Sequence, residues 1–128
     1  SIYLIVQKQF ANKLLADNKH FTSQLGAQIA PWWSVRIRRP LKKTDFYPHP
    51  AVDTVLLEIK QRPEQLLPIA SAVDFRKFIT AAFESPAVFC NLPLAKAGLN
   101  PMLTPSQLTG EQWAKLYTTP DNLGTIPQ

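Results

Sequence analysis

Residues 45–57 read DFYPHPAVDTVLL. An aromatic pair, Phe46 and Tyr47, precedes two prolines one residue apart, then an acid, then an apolar run. Pro48 and Pro50 fix their own φ angles and push Tyr47 and His49 toward extended backbone. The segment therefore predicts a stiff, extended connection rather than a tight hairpin turn. It leads into a strand over Val52 to Lys60, with Val55, Leu57 and Ile59 on one face. Leu56 on the other face predicts burial on both sides. Just upstream, residues 35–43 read VRIRRPLKK. From Trp33 to Leu41 the pattern alternates, with Val35 and Ile37 pointing one way and Arg36 and Arg38 the other. That predicts a half-buried strand with a basic outer face.

The chain has 128 residues and is 45% hydrophobic, which predicts a folded chain with a real core. Twelve prolines against four glycines leave many stiff connections and few flexible loops for cradling phosphates. The net charge of +5 is concentrated, since Arg36, Arg38, Arg39, Lys42 and Lys43 fall within one short stretch. Such a cluster suits phosphate contacts, and equally a solvated strand face on a basic protein. The single cysteine, Cys90, excludes an internal disulfide and fits a reducing cytoplasm; it reads as a small buried residue. The histidines, His20 and His49, share no ligand spacing with Cys90, so no metal site is expected. Apolar runs are too short for a membrane span.

Further out, Ile2 to Val6 reads as a short buried strand and Gln7 to Asp17 as a helix with Phe10, Ala11, Leu14 and Leu15 on its apolar face. His20 to Ile29 has helical composition weakened by Gly26, and Pro31 ends it. The pair Trp32-Trp33 reads as core and edge cover more readily than as an RNA-stacking surface. Residues 63–71 read as a linker. Phe75, Phe78, Ile79, Ala82 and Phe83 then form a helical apolar stripe, with Asp74 near its start and Ser85-Pro86 at its end. Leu92 to Ala97 is expected to form a short helix that stops at Gly98. Thr109 to Tyr117 carries a complete start signal, with Thr109 as N-cap, Gln112 closing a capping box, and Leu108 placed to staple onto Trp113. The tail after Pro120 is expected to fray. Strand, helix, strand and strand make too small a sheet to stand alone, so the first part reads as the end of a larger one.

Three stretches together resemble one family. IYLIVQKQFANKLL (2–15), FYPHPAVDTVLLEI (46–59) and LTGEQWAKLY (108–117) are similar to the C-terminal half of the rRNA adenine N-6 methyltransferases, the group of the erythromycin-resistance (Erm) and KsgA-type enzymes. The middle stretch matches a Phe-x-Pro-x-Pro-x-Val-Asp/Glu-Ser motif, with Thr54 in place of the serine. The KsgA-type Tyr-Gly-x-Leu-Ser element is absent after the first helix, where the chain reads SQLGAQIAPWW, which places the resemblance nearer the Erm branch.

The resemblance implies an α/β plus all-α architecture. Residues 1–62 would be the terminal strands and helix of a Rossmann-like methyltransferase sheet, 63–71 a linker, and 72–128 a small helical C-terminal domain. It implies a parent enzyme that moves methyl from S-adenosylmethionine to an adenine of 23S rRNA in the cytoplasm, giving macrolide, lincosamide and streptogramin B resistance. The family's Gly-rich cofactor loop and Asn-x-Pro-aromatic catalytic motif do not occur in this sequence. The chain is therefore expected to be a fragment that is inactive alone, with no catalytic or cofactor-binding residue of its own.

By the same resemblance, Phe46 would pack against the target adenine, held in a frame by Pro48 and Pro50, and Arg36, Arg38, Arg39, Lys42 and Lys43 would contact rRNA. Asp53 is not expected to act as a base; such an acid after a Pro-rich turn bonds nearby backbone. A severed sheet predicts pairing or strand exchange between copies through Ile2 to Val6. Two alternatives stand beside this reading: a self-standing, non-catalytic RNA-binding or interaction module, and a KsgA-type 16S rRNA dimethyltransferase.

Overall fold

The computed structural model describes residues 1–16, 21–42 and 52–119. The described residues form a three-stranded sheet and five α-helices in the order β1 (Ile2–Gln7), α1 (Lys8–Leu14), α2 (Gln24–Ile29), β2 (Trp33–Leu41), β3 (Thr54–Gln61), α3 (Ala72–Glu84), α4 (Pro86–Cys90) and α5 (Gly110–Thr118).

The apolar run of β3 takes the centre of the sheet, with order β1-β3-β2 and both neighbours antiparallel to it. Its side chains alternate between faces. Val55, Leu57 and Ile59 meet Val6, Val35, Ile37 and, from the helices, Ala11, Leu14 and Ile29, and this is one of two apolar clusters. The other face carries Thr54, Leu56 and Glu58, opposite Gln7, Ile5 and Tyr3 of β1. Pro40, which has no N–H to donate, lies on β2, a strand paired on one side only.

Strand β1 departs from the expected burial. Ile2, Tyr3, Leu4 and Ile5 are all exposed. An edge strand hydrogen-bonds on one side only, and among the described residues just α1 and β3 make substantial contact with it. Its apolar sequence alone cannot bury it. Helix α1 is also shorter than its periodicity predicts. The backbone turns extended at Leu15, so Ala11, Leu14 and Leu15 are buried while Phe10 stays exposed. Residues 17–20, where that helix was expected to end, lie outside the described residues.

Gly26 is tolerated inside α2 because of close approach. A Cβ there would stand 3.0 Å from the Lys13 carbonyl oxygen and 3.2 Å from that of Leu15. The bare glycine lets α2 rest on the end of α1, fastened by the Ser23 hydroxyl, which donates to the Lys13 carbonyl and accepts from the Gly26 N–H.

The larger cluster gathers around Trp113, Phe75, Phe78, Ile79, Leu108 and Leu116, and it draws in Ala27 and Trp32 from before the sheet closes. Its rings meet mostly edge to face. Trp32 and Tyr117 both meet Phe75 this way, and Trp113 and Tyr117 meet Phe78, with centroids 5.2–6.0 Å apart. Such pairs each contribute about 0.5–1.5 kcal/mol beyond their burial. Phe75, Phe78, Ile79 and Ala82 of the α3 stripe are buried as its spacing predicts, while Phe83 is half-buried against the same cluster, and Trp32 is core as expected, its indole Nε1 donating to the Leu67 carbonyl at 3.0 Å. Residues 63–71 are fastened to the same corner: the Leu66 N–H donates to the Pro31 carbonyl at 3.0 Å.

The capping box at Thr109 and Gln112 is present, with bonds of 3.2 and 2.9 Å, and a second one at Thr104 and Gln107 was not foreseen. Leu92 to Ala97 does not form the expected helix. The chain instead restarts a helix at Pro86, where Ser85 caps the Val88 N–H at 3.3 Å and proline fits the first helical position. Residues 91–98 then run through turns that end at Gly98, whose φ of +80° suits glycine. Cys90, expected to be buried, is exposed at the end of α4. His20, His49 and the tail from Pro120 lie outside the described residues.

Candidate nucleic-acid interface

Strand register decides which arginines stand together. Arg36 lies opposite Glu58, and Ile37 opposite Leu57. The register then slips by one residue, so that Arg39, not Arg38, lies opposite Leu56. This β-bulge inserts Arg38 as the extra residue. Without it, strict alternation would send Arg39 to the core face beside Val35 and Ile37. With it, Arg36 and Arg39 share the face of Leu56 and Glu58, and Arg38 reaches Glu58 as well. Simple alternation on the sequence missed this grouping.

Glu58 is the residue that the sequence analysis left out. It is 5% exposed in mid-β3. A carboxylate so placed needs partners, and two hydrogen-bond donors and one nearby cation supply them. Arg36 Nε donates to its Oε1 at 2.8 Å, Arg38 Nη1 stands 3.6 Å from the same oxygen, and the Tyr3 hydroxyl donates to Oε2 at 2.8 Å. Tyr3, Glu58 and Arg36 form one row across the three strands. The Arg36 bond, then the Tyr3 bond, then both arginine charges hold the Glu58 carboxyl below its usual range, against some loss of hydration. The same carboxylate raises the Tyr3 phenol, through the hydrogen bond first and its charge second. The available signal in the sequence was a lone acid inside VLLEIK, facing a strand of arginines.

The other expected contacts are placed as follows. Arg39 and Lys42 are exposed. Lys43, Phe46, Pro48 and Pro50 lie outside the described residues, in the connection between the paired ends Leu41 and Thr54. Gln7 pairs with Thr54 at that same end of the sheet, and the Lys8 N–H takes the Asp53 carbonyl at 2.9 Å. Among the described residues no group of three or more His, Cys, Asp or Glu side chains could hold a metal ion. The β1–α1 junction passes through Gln7 and Lys8 with no glycine and no side-chain cap.

A family model described as ribosomal RNA adenine dimethylase matches residues 1–87. The chain belongs to that family. Its members are methyltransferases that use S-adenosylmethionine. The chain is 27% identical over 137 aligned positions to the mycinamicin-resistance protein MyrB of Micromonospora griseorubida, covering 97% of this chain and 43% of that protein. Its fold is that of the 23S rRNA methyltransferase ErmE, with a TM-score of 0.72 at 21% identity over 89% of this chain and 52% of that one. A dimethyladenosine transferase from Plasmodium falciparum gives a TM-score of 0.64 at 16% identity, covering 90% and 55%. The α/β plus helical architecture is therefore that of the Rossmann-like rRNA methyltransferases, and the chain spans about half the length of these relatives. None of the helices among the described residues is long and apolar enough to cross a membrane.

Proposed function

We propose that this chain is the RNA-facing part of an adenine-N6 methyltransferase that modifies 23S rRNA in the cytoplasm and so confers resistance to macrolides, lincosamides and streptogramin B. The family match over residues 1–87 carries this reading. The resistance protein MyrB and the 23S enzyme ErmE, as relatives, favour the large-subunit target. In the whole protein S-adenosylmethionine supplies the methyl group. The part proposed for the residues of this chain is to hold and orient RNA.

A target adenine has to leave its stack before its amine can react. Phe46 gives it a flat apolar wall, framed by Pro48 and Pro50, and stacking of that kind contributes about 1–3 kcal/mol. Arg36, Arg38, Arg39, Lys42 and Lys43 meet phosphates. Residues 1–62 complete the catalytic sheet, 63–71 join it to the helical domain of 72–128, and the chain alone transfers no methyl.

The test is methyl transfer by the whole protein from labelled S-adenosylmethionine to deproteinised 23S and 16S rRNA. Label in 23S rRNA supports the reading, and Phe46→Ala is expected to abolish most of it. Label confined to 16S rRNA would move the protein to the KsgA-type reading. Binding of RNA without any transfer would favour a non-catalytic module.

A further inference from the structure

The Glu58 carboxylate is buried, yet its main partner is not. The Glu58 side chain is 6% exposed while that of Arg36 is 63% exposed. Here the acid sits in the sheet and the cation stands out from it. The bond also uses a particular nitrogen. Glu58 takes Arg36 Nε, and among the described residues no bond to Nη1 or Nη2 of Arg36 is present. Those two nitrogens form the outer edge of a planar fork that matches two oxygens of a phosphate.

We propose that Glu58 is a positioning residue, which holds Arg36 as an outward two-pronged clamp for a backbone phosphate of the RNA. Tyr3 completes the hold from the other side by donating to the second carboxylate oxygen. Arg38, brought in by the bulge, braces Oε1 at 3.6 Å, and Arg39 lies on the same face opposite Leu56. The clamp rests on the RNA-modifying function proposed above. It adds an acid to the interface, in a place where charge alone would forbid one. A long arginine side chain left loose must be ordered when RNA arrives, whereas one already held at Nε loses less freedom on binding.

The experiment uses the whole protein and deproteinised 23S rRNA, reading KM, kcat and the salt dependence of binding. Glu58→Gln makes the surface one charge more positive. If the cluster acted by long-range charge alone, this variant would bind RNA more tightly and its salt slope would steepen. The clamp requires the opposite: KM rises about tenfold, the salt slope becomes shallower, and kcat changes far less. Glu58→Asp, which restores the charge on a shorter arm, recovers part of the loss. Arg36→Gln costs about tenfold in the wild type but less than twofold beside Glu58→Gln, since the two residues act as one unit.

Arg36→Lys covers the case in which Glu58 variants fail to fold. It keeps the charge and loses the fork, so it should behave like Arg36→Gln, and wild-type affinity in Arg36→Lys overturns the proposal. So does tighter or unchanged binding in Glu58→Gln, or equal cost of Arg36→Gln in both backgrounds. If the unaltered protein neither binds nor methylates rRNA, the proposed function itself fails. If it does both and these variants are silent, only the clamp fails.

Discussion

Gly110 is the first residue of α5 and the point at which that helix touches the end of α2. Its N–H donates to the Ala16 carbonyl at 2.9 Å. A Cβ added there would stand 2.3 Å from Ala30 Cβ and 3.4 Å from Ala16 Cβ. Carbon atoms in comfortable contact lie about 3.5–4.0 Å apart, so more than 1 Å must be found. Ala30 cannot supply it by rotating a side chain. Its backbone is held by its N–H bond to the Gly26 carbonyl at 3.1 Å and by Arg62 Nε, which donates to the Ala30 carbonyl. Gly26 is in turn wedged against α1. Relief therefore means moving α5 away from α2 and opening the larger core at Trp113. Overpacking of this kind costs about 1–3 kcal/mol. Alanine recovers less than about 1 kcal/mol in helix propensity, and less still in a first turn.

Gly110→Ala is thus expected to destabilise the whole protein by about 1–2 kcal/mol, measured as a lower urea midpoint and a Tm reduced by several degrees. The companion variant Ala30→Gly removes the atom that is struck. Alone it should cost up to about 1 kcal/mol, but together with Gly110→Ala it should return most of the lost stability, a coupling of at least about 1 kcal/mol. Full stability in Gly110→Ala, or simple addition of the two costs, would refute the packing argument.

Stability should also depend on pH through the Tyr3–Glu58–Arg36 row. The folded state lowers the Glu58 carboxyl, so its contribution is present above the unfolded carboxylate range and is lost as pH falls through the lowered value. The folded state raises the Tyr3 phenol, so that contribution is present below the unfolded phenol range and is lost as pH climbs through the raised value. Urea midpoints across pH should show both edges, and Tyr3→Phe should remove the alkaline one and shrink the acidic one. Cys90, exposed at the end of α4, should react with a thiol reagent in the native protein at the rate of an open thiol; reaction that waits for denaturant would contradict its placement. Thr109→Ala removes the oxygen that accepts the Gln112 N–H and should cost about 1 kcal/mol, read as a lower urea midpoint, whereas Thr109→Ser should stay near wild type.

Wherever a signal is local, the chain could be read directly. The capping box at Thr109, the Phe75-to-Ala82 stripe, the ends set by Pro31 and by Ser85-Pro86, and the alternation of Val35 and Ile37 are consequences of backbone geometry over a few residues. The family was legible for a related reason, because the Phe-x-Pro-x-Pro stretch is a contiguous run of unusual residues. Other features were settled only by what lies beside each element. The burial of β1 depends on a neighbouring strand and not on its own apolar letters. Gly26 and Gly110, weak helix residues taken singly, are required where α2 meets α1 and where α5 meets α2. Serine and proline at 85–86 end one helix and begin the next, because Ser85 can cap in the forward direction. Glu58 and the grouping of three arginines depend on cross-strand register and on one inserted residue. Pairing between residues 22 positions apart leaves no periodic trace in the sequence of either strand. Local conformational preference fixed the elements of this protein, and long-range register and close backbone approach made them into a surface with one buried acid at its centre.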